Sequence, residues 1–544
     1  MAVGIPAAAA SGRDDRGREH YQRPIKHVLV ISVDGLHQSD LVWYVDNHPG
    51  SELAKLMSAG AEYSNGQTPV PSDSDPGMTA QLTGGNPRTT GVYYDDEYDH
   101  DLFPPGTTSC SGTPPGSPVI YDSPDDIDPT RLDAGQGLAD LPGSILQMTS
   151  NPQSLLVPST FPVDPKTCKP IYPNQYLNVN TVFNVAHEAG LVTAWSDKHP
   201  IYSSFEGPAG NGLSDQFDPE IDSNALEPNA TPYLGGISWT GDNAATMQYD
   251  AYKVQAVLNW IDGYNHQRTA KIGVPALFGM NFQTVSTAEK LPISDGLTGG
   301  YLPGTHTPGP LLERALQYIN DQLQVMVNEI DARGLASSTA IIISAKHGQS
   351  PQDPDQLTRI DDTPIINGVN AAWAATHPGA APLVVYGTDD DAIMWWLSDR
   401  SEAAARFVRN YLWTHSATGG TATGGSRTLP HSGLVKIYAG NASARYFGVP
   451  VSDPRHPDVW GVVQVGVVYT AGKGKIAEHG GANPADRDVP ILVDAPGVAR
   501  PGVYGSWVET TQIAPTIIRL LGLDPTNLQA VRIEGTPVLP GIGR

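Results

Sequence analysis

Apolar runs and polar breaks along the chain alternate between strand-like and helix-like segments. IKHVLVISVD, residues 25–34, is a β-branched apolar run ending at Asp34-Gly35, and it predicts a buried strand. SELAKLMSAG, residues 51–60, predicts a helix with Ser51 as its cap and Gly60 as its stop. A short helix is expected to open after Pro76 and reach residue 84. Residues 180–189 look helical, and Leu191 to Trp195 look like a strand. A helix follows over 248–262, with Tyr252, Val254, Val257 and Ile261 on its apolar spacing. A strand at 275–282, a long amphipathic helix at 309–333 and a strand at 339–344 continue the alternation. Further strands are expected near 383–386, 391–396, 460–469 and 490–494, and a last helix over about 509–521.

Two stretches lack any period: residues 100–175, rich in Pro, Gly, Ser and Asp, and residues 205–245. Irregular chain of that length inside a compact protein marks a functional excursion or a cap. The alternation elsewhere predicts an α/β fold: a mostly parallel sheet with helices on both faces. Residues 1–24 read as a disordered leader, and 25–540 as one domain carrying the two insertions.

Composition narrows the function. The 544 residues include 57 Gly and 48 Pro without period, which indicates a loop-rich globular chain. A formal charge of −24 repels nucleic-acid duplexes and anionic membranes. An anionic substrate would therefore need a site with its own positive charge, from metal ions or a few placed cations. No run of 18 apolar residues exists, so no membrane-spanning helix is expected. The two cysteines, Cys110 and Cys168, lie in Pro-rich loop sequence, which favours one disulfide over a metal site or free thiols. That bridge points to an oxidising compartment, secreted or periplasmic. The oligomeric state is not encoded in any pattern found.

Ligands of such sheets sit beyond the carboxyl ends of the strands. That rule selects Asp34, Asn281 to Gln283, Lys346-His347 and the loop around His479. Ser74 joins them, because it precedes a helix start whose backbone N–H groups suit an anion. Asp197, Lys198 and His199 also follow a strand directly, but read slightly better as a surface turn. Tyr93, Tyr94 and Trp195 are candidates for stacking a base or for packing.

The motifs VISVDG, PSDSDPGMTAQLTGGNPRTTGVYYDDEYD, IIISAKHGQSP, EHGGANPADRDVPILV and QIAPTIIRLLGLDP occur in that order from about residue 25 to 525. In this combination the chain resembles the alkaline phosphatase superfamily, in its type I phosphodiesterase/nucleotide pyrophosphatase branch. The resemblance implies an alkaline phosphatase-like catalytic domain that hydrolyses phosphodiester or pyrophosphate bonds of small anionic, nucleotide-like substrates. It implies a Ser or Thr nucleophile, a covalent phospho-enzyme and divalent metal, most often Zn2+. Carried over by motif, Ser74 is the nucleophile, Asp34, Ser74 and His347 hold one metal, and His479 holds the other. Asp95 stands where an Asn meets the phosphate, and Asn281 and Gln283 stand near an expected Asp.

The departures shape the expectation. Lys346 replaces a metal-ligating carboxylate, so a site of one ion plus a catalytic lysine on the phosphoryl group is the leading arrangement. Two ions with Asp73, Asp75 or Asp95 as substitute ligands, or a degenerate anion-binding site, are the others, and His306 is a doubtful ligand. A sulfatase or phosphonate hydrolase is the competing activity. Ser74-Asp75-Pro76-Gly77-Met78 lacks the Arg that a formylglycine motif needs.

Overall fold

The computed structural model describes residues 25–138, 144–224, 238–470 and 474–543. The expected leader lies outside these residues, as do parts of both insertions, 139–143 and 225–237.

The central sheet has eight strands in the order Gly502–Tyr504, Ala61–Tyr63, Ile491–Asp494, Thr339–Ser344, His27–Val33, Leu277–Phe282, Thr193–Ser196 and Asp215–Gln216. Ile491–Asp494 runs antiparallel to both its neighbours, and all other pairs are parallel. The middle of His27–Val33, Val28 to Ile31, is apolar at every position because helices cover both of its faces. Val28 and Val30 pack with Met78, Leu82, Phe183 and Ile517. Leu29, Ile31 and Val33 point the other way, toward Val257, Leu311 and Leu316.

The helices follow the expected pattern with shifted ends. Glu52–Ala59 is capped by Ser51, whose Oγ accepts the Ala54 N–H at 3.2 Å. Asn243–Ile261 starts five residues earlier than its apolar spacing suggests, because Asp242 caps it through the Ala245 N–H. The helix expected to open after Pro76 instead begins at Ser74 and runs to Thr83. Pro76 is its third residue, where an N–H has no partner within the helix anyway.

The strands expected near 383–386 and 391–396, and the first part of 460–469, do not join the central sheet. They form a separate antiparallel sheet in the order Val384–Asp389, Ala392–Leu397, Val459–Val463 and Leu434–Ala439. Only Asp390 and Asp391 connect the first pair, a link too short for a parallel crossover. Helices Thr363–Thr376 and Glu402–Thr414 complete this unit around Trp395, Val408 and Leu412.

Cys110 and Cys168 are bridged, with Cα atoms 5.6 Å apart across 58 residues of sequence. Closing a loop of that length stabilises the fold by about 4 kcal/mol in the chain-entropy model. Reduction is expected to lower the melting temperature, and unreduced protein to show no alkylatable thiol. A melting curve indifferent to reductant would remove the bridge from the stability account.

Candidate active site

The parallel strands deliver their last residues to one edge of the sheet. Ser32 pairs with Ser344 on one side and with Asn281 on the other, so Asp34, Gln283 and Lys346-His347 emerge together. Asp34 is locked there by its N–H to Phe282 O at 2.9 Å, and Gly35 N–H donates to His347 O at 3.2 Å. Asp197 to His199 leave the end of Thr193–Ser196 at the same edge. The helix carrying Ser74 docks against this edge through Gly77. A Cβ on Gly77 would lie 2.1 Å from Lys346 O, so only glycine lets the first turn approach this closely.

Ser74 is fully buried, and its hydroxyl is held from two sides. Lys198 Nζ donates to Ser74 Oγ at 3.0 Å. His347 Nε2 is 3.3 Å from the same atom. His347 Nδ1 faces Gly348 O at 2.9 Å, which fixes the proton on Nδ1 and leaves Nε2 to accept from Ser74. Burial pulls Lys198 down, yet nearby carboxylates, Asp34 first, outweigh it and raise its pKa, so Lys198 stays a cation. His347, not Lys198, is the proton acceptor for Ser74.

Asp34 is surrounded by donors. Asn281 Nδ2 and Gln283 Nε2 each donate to it at 2.6 Å, one to each oxygen. Lys346 Nζ and His347 Nε2 lie 3.8 and 3.7 Å from its Oδ2. Burial alone would raise Asp34, but the Lys346 ammonium, and Lys198 more weakly, hold its carboxyl well below the usual range. Lys346 itself is turned onto Asp197, donating to Oδ1 at 2.9 Å, with both side chains fully buried. The cavity is lined by Lys198 and not by Lys346. The expectation that Lys346 faces the substrate is therefore revised: a buried ammonium turns to the nearest buried carboxylate, and that is Asp197.

These residues do not fit the two-ion centre that the motifs imply. Amide donors fill both oxygens of Asp34, and a lysine stands where a carboxylate ligand is needed. A single ion shared by Asp34, Ser74 and His347 would have to displace those amides and the Lys198–Ser74 hydrogen bond, beside two ammonium groups. His479 Nδ1 is 2.8 Å from Asp73 Oδ1, and its ring stacks on His347 with centroids 3.8 Å apart. Burial first, and the Lys290 ammonium, push His479 well below its ordinary range. His306 is exposed and joins none of these contacts.

A cavity of about 200 Å³ opens beside Lys198, lined also by Asp34, Asp95, Gln283, Lys290 and His479 among others; Ser74, fully buried, is reached from it through Lys198 rather than lining it. Asn281 lies beneath it, fully buried, with Lys253 Nζ on its carbonyl at 2.5 Å. Burial and Asp73 push Asp95 well above the carboxylate range, so it offers an O–H as an Asn would offer an N–H. Burial and then Asp73 push Asp75 up to about 8. Among the described residues, two further groups gather metal-type ligands: His37, Asp40 and Glu289, and Asp122, His199 and Asp222. The first is satisfied by protein: Tyr301 O–H reaches His37, Asp40 and Glu289 at 2.7–2.8 Å, and the Gln349 N–H donates to His37 Nε2 at 3.1 Å.

Sequence reasoning underrated Asp197, Lys198 and His199. The turn reading fails because Asp197 is fully buried and His199 is 4% exposed. Their place directly after a strand was the signal. The aromatics go the other way: Tyr93, Tyr94 and Trp195 are each 0–1% exposed and act as packing and hydrogen-bond groups. Tyr94 donates to Asp390, and Trp195 Nε1 donates to Asp197 at 3.1 Å.

Glu97 gives the site a pH signature. Burial pushes it to about 8 from an ordinary 4.5, although the Tyr93 N–H donates to it at 2.6 Å. The folded protein thus keeps a proton that the unfolded chain releases. This contribution is full below about pH 4.5 and is lost as pH rises through 8. Denaturant unfolding is expected to show less stability at pH 8 than at pH 5, with a smaller difference in Glu97→Gln. An identical pH dependence in the variant would assign the effect to other acids.

A sequence model of the family described as type I phosphodiesterase / nucleotide pyrophosphatase matches residues 28–485. Among solved structures, wild-type alkaline phosphatase PafA is similar, with a TM-score of 0.56 at 14% identity over 92% of this chain and 96% of that one. Murine ectonucleotide pyrophosphatase/phosphodiesterase 5 gives 0.52 at 13% identity over the same shares. An inactive variant of that murine protein, in complex with AMP, gives 0.50 at 13% identity, again over 92% and 96%. At these identities the likeness is one of fold. A search of curated proteins finds no match.

Proposed function

Because the chain belongs to the type I phosphodiesterase/nucleotide pyrophosphatase family, whose members are phosphoester hydrolases, we propose that it cleaves phosphodiester or pyrophosphate bonds of small nucleotide-like substrates through Ser74. One observation carries this reading: the Ser74 hydroxyl lies between a proton acceptor, His347 Nε2, and a fixed cation, Lys198 Nζ. His347 takes the hydroxyl proton as Oγ attacks phosphorus, the P–O bond to the leaving group breaks, and a seryl-phosphate forms. Lys198 stabilises the charge developing on Oγ and on the phosphoryl oxygens. Asp95, held protonated, donates to a phosphoryl oxygen. The Gly348 carbonyl orients His347, and Asp34 balances Lys346 and Lys198. His347 gives the hydroxyl proton to the leaving oxygen and then takes one from a water that attacks the seryl-phosphate; the Oγ–P bond breaks, Ser74 Oγ recovers the proton from His347, and the second product leaves.

The mixed charge of the cavity suits an anion with a polar leaving group, and AMP-sized ligands set the range to screen first. No described helix is long and apolar enough to cross a membrane. The disulfide supports a working place outside a reducing compartment.

Acid quenching during turnover of bis-p-nitrophenyl phosphate, followed by peptide mass mapping, tests the covalent step. A phosphate on the Ser74 peptide is the expected result. Turnover with the label elsewhere, or with no label under burst conditions, would overturn it.

A further inference from the structure

The cavity that Asp34 and Lys198 line has a second wall that the proposed chemistry does not use. Asp122, His199 and Asp222 line it. Asp122 comes from the first insertion, Asp222 from the second, and His199 from the loop after Thr193–Ser196. Their ligand atoms all lie within 4.8 Å of one another. His199 is 4% exposed, and its Nδ1 faces both oxygens of the buried Glu220, at 2.8 and 2.9 Å. A carboxylate gripping Nδ1 places the ring proton there and leaves a lone pair on Nε2. That Nε2 has no hydrogen-bond partner among the described residues and points toward Asp122 Oδ1, 3.7 Å away. Glu220 also accepts the Asp222 N–H at 2.8 Å, so one buried acid fixes the histidine and the backbone of a carboxylate ligand together.

We infer that Asp122, His199 and Asp222 form a divalent-cation site, of the Zn2+ class, with Glu220 as its orienting carboxylate. One imidazole and two carboxylates are three lone-pair ligands once the acids are ionised, a set that suits a borderline ion with open positions. A carboxylate behind a ligating histidine is the usual supporting arrangement. The open positions face the cavity that Lys198 also lines. The ion would there meet an oxygen of the phosphoester, a role that rests on the Ser74 reading, while the binding itself does not. The family's metal places have become amide and lysine places, and this cluster offers the chain a divalent ion by a different set of residues.

The test uses the full chain, stripped with chelator and titrated with ZnCl2 by calorimetry, with bound zinc counted by plasma mass spectrometry after dialysis. Wild type is expected to retain one zinc per chain. His199→Ala and Asp122→Asn should lose it, and Glu220→Gln should weaken binding by about 10- to 100-fold. Asp34→Asn and His347→Ala should keep it. Circular dichroism melting shows which variants fold, and in wild type Co2+ absorption reports nitrogen and oxygen ligation without any variant. Zinc retained in folded His199→Ala, zinc lost from folded Asp34→Asn, or no zinc in wild type would each overturn the assignment. Ser74→Ala separates the two readings: zinc should stay, so loss of the Ser74 mechanism would leave this site standing.

Discussion

Ser74→Ala is expected to lower kcat by about 10⁴-fold or more on any phosphodiester the protein turns over, with the fold kept. The reasoning starts from the helix. Ser74 is its first residue, and alanine is at least as good a helix former there. Among the described residues its Oγ makes side-chain contacts to Lys198 and His347. Removing it deletes the attacking atom and leaves His347 Nε2 with no proton to take. Lys198 loses its acceptor but stays beside Asp34, so its charge remains compensated. Melting temperature should move by a few degrees while turnover collapses. Activity within tenfold of wild type would place the attack on water or on another hydroxyl. Ser72 is the obvious neighbour, but its Oγ is tied to Asp486 O at 2.5 Å.

What was legible in the sequence follows from how local each signal is. Asp34, His347 and Gln283 were found because each directly follows a strand whose apolar run is unmistakable. Parallel strands must present those residues at one edge. Ser74 was found from the helix start beside it, even though the start was placed two residues late. The direction of Lys346 was not legible, since its partner Asp197 is 149 residues away in sequence. Lys198 was undervalued for the same reason: a polar triplet after a strand looks like a surface turn until the insertions are folded over it. The second sheet was misplaced because strand and helix also alternate there, and the two-residue link at Asp390-Asp391 was not weighed. Asp122 and Asp222 sit in the stretches with least pattern, where only tertiary structure brings them to His199.

The two lysines at the site should fail in different ways, and Lys346 with the larger effect on stability. Lys346 and Asp197 are both fully buried, so neither has water to fall back on. Lys346→Met removes the ammonium and leaves Asp197, among the described residues, with Trp195 Nε1 and the Lys198 N–H as donors to its carboxylate. Breaking one side of a buried pair costs about 3–5 kcal/mol, because the remaining charge is uncompensated. Replacing both sides together costs far less, so Lys346→Met with Asp197→Asn should recover most of the loss in urea unfolding. Lys198→Met should behave in the opposite way. It lines the cavity and touches Ser74 Oγ, so its loss removes charge stabilisation of the transition state, worth about 10²–10³ in kcat. Its effect on unfolding should be small, since Asp34 keeps Lys346 and both amides. A Lys346→Met protein as stable as wild type but slow in turnover would return that lysine to the substrate. Equal losses of rate in both single variants, undiminished in the Asp197 double variant, would mean that the two ammonium groups act on the phosphoryl group together.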